Sequence, residues 1–187
     1  MEIIKQACHN VGAKIKDWNL QWNGELAMSK TPIEYIVIHH DVWTGGTMLD
    51  IHNDHIKNKG YRGTGYHLRI RKDGSVELGR PFGTVGGHCS QQEMNYRSIG
   101  IVFEGNFENE IPTPEQINTG IAVIKEIIRL SFTIKPQNIR PHNYFTPKAC
   151  PGKNFPMTKF IAGVMAKESE LSNFEKGLDY LVKTKVS

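Results

Sequence analysis

The apolar positions of this chain fall into runs of two periods. Residues 33–40, IEYIVIHH, are β-branched or aromatic at neighbouring positions, the pattern of a central strand buried on both faces, and the run ends in two histidines. Residues 98–105, SIGIVFEG, have the same character. Between them, GYHLRIRKDGSVELGR sets Asp73 and Gly74 between two short extended runs, which predicts a hairpin. Helical spacing takes over in TMLDIHNDHIKNKG, where Thr47 can cap with Asp50 three places on. Met48, Ile51, His52, His55 and Ile56 share one face of that helix, and Gly60 ends it. Thr113, Pro114 and Gln116 repeat the capping pattern, and Ile117, Ile121, Ile124 and Ile128 then draw a buried stripe to about residue 131. A last helix is expected over roughly 157–168.

Strands and helices in this order predict an α/β fold, a single domain with a central mixed β-sheet flanked by helices, over residues 31–168. Residues 1–30 are expected to pack on that core as a short helix followed by an extended segment around NLQWNGEL. Residues 169–187, charged and sparse in apolar positions, are expected as a C-terminal tail or linker stub. No internal repeat and no low-complexity segment interrupts the pattern.

Composition narrows the function classes. A chain of 187 residues, 39% hydrophobic and 22% charged, suits one globular domain. No apolar run reaches the roughly 18–20 residues of a spanning helix, so no membrane insertion is expected. The start of the chain lacks the basic-then-apolar pattern of a secretory signal, which points to synthesis in the cytosol or export by another route. Cys8, Cys89 and Cys150 are odd in number and far apart, and do not read as a disulfide framework. The net charge of +4 can favour an anionic partner, but the basic residues are scattered without an aromatic-interleaved stripe, so nucleic acid is not expected. Nothing in the pattern sets an oligomeric state.

The chemistry gathers at a strand end and one loop. His39 closes a core strand, where side chains emerge into the loops, and His142 and Cys150 both lie in IRPHNYFTPKACPG. Two imidazoles and a thiolate are a recognised zinc set that keeps the fourth tetrahedral position for water. Plainer readings exist: a lone histidine is ordinarily a packed, hydrogen-bonded residue, and a buried cysteine a small hydrophobe. His52 and His55, at i and i+3, form a rival pair with no third ligand, or simply a partly exposed helix face. Strand parity leaves the choice between His39 and His40 open, because both faces of the strand read as buried. Trp43, in the loop after that strand, can stack on sugar or peptide, or only pack.

Taken together, YIVIHHD, GTGYHLRIRKDGSVELGRP, GGHCSQQEMNYRSIGIVFEGNF, TPEQ and RPHNYFTPKACPG resemble, in order and near spacing, the zinc-dependent N-acetylmuramoyl-L-alanine amidases of the type 2 class. That class includes small phage lysozyme-type amidases and peptidoglycan recognition proteins, and the resemblance covers roughly residues 30–165. It implies the amidase fold of those proteins and one zinc per chain, held by His39, His142 and Cys150. It implies catalytic groups at Tyr66 in the GYH block and at Lys148, two places before the cysteine as in phage members. His67 and His88 would sit near the metal, with Asn95, Arg97 and Trp43 as further substrate contacts, while Cys89 has no assigned part. Cytoplasmic members that recycle wall fragments resemble SIGIE with a glutamate base; Val102 stands at that place here. Glu104, two residues on, is therefore expected to be structural.

The resemblance implies hydrolysis of the amide between N-acetylmuramic acid and L-alanine in peptidoglycan. Zinc lowers the pKa of its water from about 15.7 toward about 7. Tyr66 and Lys148 face the developing oxyanion or relay the proton, and the sequence does not divide those roles. Relatives lacking the cysteine bind peptidoglycan without cutting it, so Cys150 favours an enzyme over a binding module. A zinc-stabilised interaction domain would need a fourth protein ligand, for which His67 or His40 is available. Without a secretory pattern, a phage lysin released by a separate membrane pore is favoured over a secreted autolysin.

Overall fold

The computed structural model describes residues 2–43 and 45–166. The chain runs α1 (Glu2–Asn10), β1 (Ile15–Lys16), β2 (Tyr35–His40), α2 (Met48–Lys57), β3 (Leu68–Ile70), β4 (Val76–Leu78), the one-turn α3 (Met94–Arg97), β5 (Ser98–Phe103), α4 (Pro114–Ser131), β6 (Ile139–Pro141) and α5 (Met157–Met165). The strands form one mixed sheet in the order β1-β4-β3-β5-β2-β6. β3 and β4 pair antiparallel, and every other neighbouring pair is parallel. This is the α/β architecture expected from the sequence.

Local chemistry accounts for the element ends. Thr47 and Thr113 each accept a hydrogen bond from the backbone N–H three residues on, and the side chains of Asp50 and Gln116 accept in return from the capping residues' N–H groups. The hairpin closes where Asp73 Oδ1 accepts from the N–H and the hydroxyl of Ser75, with Gly74 at φ +76°. The stripe on α4 includes Val123 and Ile127 as well, with Ile128 partly buried against the same core, so the helix turns a wider face inward. The last helix ends at Met165, a few residues before its expected end.

The two faces of the sheet differ in chemistry. Ile36, Ile38, Leu68, Ile70, Ile99, Ile101 and Phe103 point to one side, where they meet Ile117, Ile121, Ile124, Ile127, Phe155 and Phe160 of the helical layer. α1 lies against α4 and adds Ile4, Ala7 and Cys8 to the same core. The opposite face carries Val37, His39, Arg69, Glu77, Ser98, Gly100 and Val102, all buried. Arg69 is wholly buried there: its Nε donates to Asp41 Oδ2 and its Nη1 to Glu77 Oε2, each at 2.7 Å, with Glu104 at 3.7 Å. Glu77 also accepts from Met48 N at the start of α2 and from Trp18 Nε1, so one buried cluster ties α2 and the N-terminal segment to the sheet. That segment lies along the domain through Trp18, through Trp22 packed edge-on against His52, and through a bridge from Met28 to Thr84. The tail expected over 169–187 lies outside the described residues.

Candidate metal centre

The pairing of β2 with β6 builds the centre. Ile36, Val37 and Ile38 lie opposite Ile139, Arg140 and Pro141, so the next residues along each strand, His39 and His142, emerge side by side. Their rings are 4.4 Å apart between centroids. The loop after His142 folds back, with Asn143 N donating to Cys150 O at 2.8 Å, and this returns Cys150 to the strand end. Cys150 Sγ lies 3.6 Å from His39 Nδ1, and the ligand atoms of His39, His142 and Cys150 all fall within 4.8 Å of one another. Among the described residues, no further histidine, cysteine or carboxylate joins this trio.

Parity is settled by the two neighbours of β2. His39 faces the polar side of the sheet; His40 faces the other way, where its Nδ1 accepts from Phe107 N at 3.1 Å. His67, the other residue weighed as a fourth ligand, has both nitrogens occupied by backbone: Nδ1 accepts from Gly100 N, and Nε2 meets Thr84 O.

The donors suit a soft or borderline divalent cation. Burial, reinforced by His88 and His142, holds the His39 imidazole well below its ordinary range, and burial with the Lys148 charge lowers His142 to about 4. Both rings are neutral at pH 7 and keep a lone pair for a metal. Burial pushes the Cys150 thiol up to about 11, so the site does not sustain a thiolate unaided. A cation among these donors reverses that preference, and two imidazoles with one sulfur and no carboxylate are a zinc-type set.

Tyr66 and Lys148 border the trio. The Tyr66 ring packs edge-on against His39 with centroids 5.2 Å apart. Burial, with Cys150 and Asp41 nearby, raises its phenol above the usual range, which keeps it a proton donor. Lys148 is exposed on the loop that carries both later ligands, and its charge reaches His142 and His39. Trp43, 42% exposed, lines with Asp41, Ile51, Asp54, His55, Lys59 and Tyr66 a cavity of about 100 Å³ beside the tyrosine.

The other residues expected as substrate contacts are engaged by groups of the protein itself. His67 is a buried strut between two backbone segments, as above. Asn95 Oδ1 accepts from both His88 N and Cys89 N, which fixes their loop from within. Arg97 stands at the opposite end of β5, paired with Glu34 at 2.7 Å and stacked on Tyr35. His88 is 8% exposed and faces the protein: its Nδ1 is 3.1 Å from His39 Nε2. Glu104 points to the same side as Val102 and is taken up by Arg69, Arg71, Gly45 N and Lys72 N. A structural part for it follows from those partners.

Two features escape a reading of the sequence by motif. His52 and His55 accept from Thr64 N and Gly65 N through their Nδ1 atoms, so α2 grips the segment leading into Tyr66. The Arg69 cluster is the other. Its signal was present as a charge in the middle of each of the apolar triplets LRI and VEL, since charges inside strands buried on both faces require partners.

Comparison with known proteins agrees with this geometry. A family model described as N-acetylmuramoyl-L-alanine amidase matches residues 29–153. The endolysin of Enterobacteria phage K11 is 32% identical over 127 residues, 65% of this chain and 76% of its own length. Peptidoglycan-recognition protein SC2 of Drosophila melanogaster is 28% identical over 149 residues, 72% of this chain and 78% of its own. Among solved structures, the endolysin N-acetylmuramoyl-L-alanine amidase LysCS from Clostridium intestinale URNW is 35% identical with a TM-score of 0.74, over 82% of this chain and 97% of that one. Drosophila PGRP-LB, at 22% identity and a TM-score of 0.68 over 83% of this chain and 95% of its own, shares the fold.

Proposed function

The chain belongs to the N-acetylmuramoyl-L-alanine amidase family and hydrolyses the amide between N-acetylmuramic acid and L-alanine in peptidoglycan, and we propose that it does so as a zinc enzyme whose metal is held by His39, His142 and Cys150. The observation that carries the metal reading is the convergence of those three ligand atoms within 4.8 Å of one another. Zinc held there would supply Lewis acidity, polarising the scissile carbonyl and bringing the pKa of water down to about 7.

The remaining work belongs to side chains. Tyr66, kept protonated, donates a hydrogen bond to the carbonyl oxygen as it gains charge. Lys148 presents an ammonium to the same oxygen from the ligand loop, and a donor so placed contributes typically about 3–4 kcal/mol to the transition state. These two groups are also the ones able to hand a proton to the departing alanine nitrogen. Trp43 and the cavity beside Tyr66 receive the sugar or stem peptide next to the cut bond. No helix among the described residues is long and apolar enough to cross a membrane. A phage lysin that reaches the wall through a separate membrane pore fits this reading. A purely binding module is the lesser reading, because the ligand trio and its lysine are intact.

Digestion of purified cell walls, followed by mass spectrometry, tests the proposal. New L-alanine amino termini on intact glycan strands are expected, lost on treatment with a strong chelator, restored by zinc, and absent with Cys150→Ser. Cleaved sugars, or activity indifferent to chelation, would overturn it.

A further inference from the structure

Behind His39 runs a chain of hydrogen bonds whose direction is set from its far end. His39 Nδ1 faces Cys150, and its other nitrogen, Nε2, lies 3.1 Å from His88 Nδ1. His88 Nε2 is 3.5 Å from Ser98 Oγ, and Ser98 Oγ is 2.6 Å from Met94 O. The last acceptor is a carbonyl and has no proton to give. Ser98 must therefore donate to Met94 O, and it keeps only a lone pair for His88. His88 then carries its proton on Nε2 and presents a bare Nδ1 to His39. That in turn places the His39 proton on Nε2, and Nδ1 is left unprotonated toward Cys150 and His142.

The surroundings hold His88 to this part. Its ring lies over Gly100, where an added Cβ would come within 2.5 Å of it, so the sheet leaves a side chain's room for the imidazole. Its backbone N–H is anchored by Asn95 Oδ1 at 2.9 Å. With 8% exposure it has little surface to offer a ligand.

We propose that His88 is a positioning residue that selects the metal-binding tautomer of His39 and fixes its ring through the Ser98–Met94 chain. This deepens the zinc reading above and rests on it. Loss of a partner of this kind typically weakens metal affinity about 10–100-fold.

The test uses the full chain and zinc alone. Affinity is measured by competition with a chromophoric chelator for wild type, His88→Ala and His88→Gln, with circular dichroism as a check on folding. His88→Ala is expected to bind zinc about 10–100-fold more weakly. His88→Gln, whose amide can accept from His39 and donate to Ser98, should recover most of that loss. Nitrogen-15 NMR of the metal-free wild type should show His39 protonated at Nε2, a readout that survives even if the variants misfold. Equal zinc affinity in His88→Ala and wild type, or His39 protonated at Nδ1, would overturn the proposal. Failure of the wild type to take up zinc would instead overturn the metal reading, and the tautomer would still judge the direction of the chain.

Discussion

Lys148 stands exposed two residues before the buried Cys150, and its substitution separates metal holding from catalysis. Lys148→Ala is expected to lower kcat by about 10²–10³-fold with zinc content unchanged, read by wall turnover beside metal analysis. The buried histidines away from the trio contribute to acid sensitivity. Burial lowers His55 to about 4 and His67 to about 3, whereas both titrate near 6.5 in an unfolded chain. The unfolded state thus binds more protons between those values. Stability is full above about pH 6.5 and falls toward about pH 4, each such histidine contributing up to ~1.4 kcal/mol per pH unit. Urea midpoints of the metal-free protein across pH 7 to 4 should fall accordingly, and a flat profile would reject these histidines as buried neutral struts. At this scale residue identity alone nominates His142 and Cys150 and leaves His39 against His40 open; the family resemblance selects His39, and the structure brings the three side chains together. The partners of His67, His88 and Asn95 depend on which groups lie opposite them in the fold, and one sequence does not contain that.

The longer strands and helices follow from periodicity and capping, because α4 and β2 bury faces that their patterns announce, whereas the short β1, α3 and β6 do not; Ile139–Pro141 reads as part of a loop and becomes a strand only by pairing with β2. Legibility fails where elements meet. Arg69 sits in a three-residue strand, and nothing local tells that it gathers Asp41, Glu77 and Glu104 from three other places in the chain. Removing it strands three carboxylates in a buried setting, so Arg69→Leu is expected to destabilise by about 3–5 kcal/mol, measured by denaturant unfolding. Wild-type stability in that variant would mean that solvent reaches the cluster.

The domain as a whole extends beyond the residues matched by the family model, since α1 adds Ile4, Ala7 and Cys8 to the core and Trp18 bonds to Glu77. Deleting residues 1–30 is therefore expected to abolish a cooperative thermal transition. A chain stopped after residue 168 keeps α5 and every core residue described, and should retain wall-cutting activity within about twofold. Equal losses from both truncations would move the boundary. The sheet itself sorts mutations by consequence, because neighbouring residues on one strand serve different masters. Along 36–39 and 98–103, a survey scored separately for cellular abundance and for lytic rate would read like a two-beat measure. Substitutions at Ile36, Ile38, Ile99 and Ile101 would deplete the protein, while those at His39 would leave it plentiful and idle, and those at Ser98 would leave it slower.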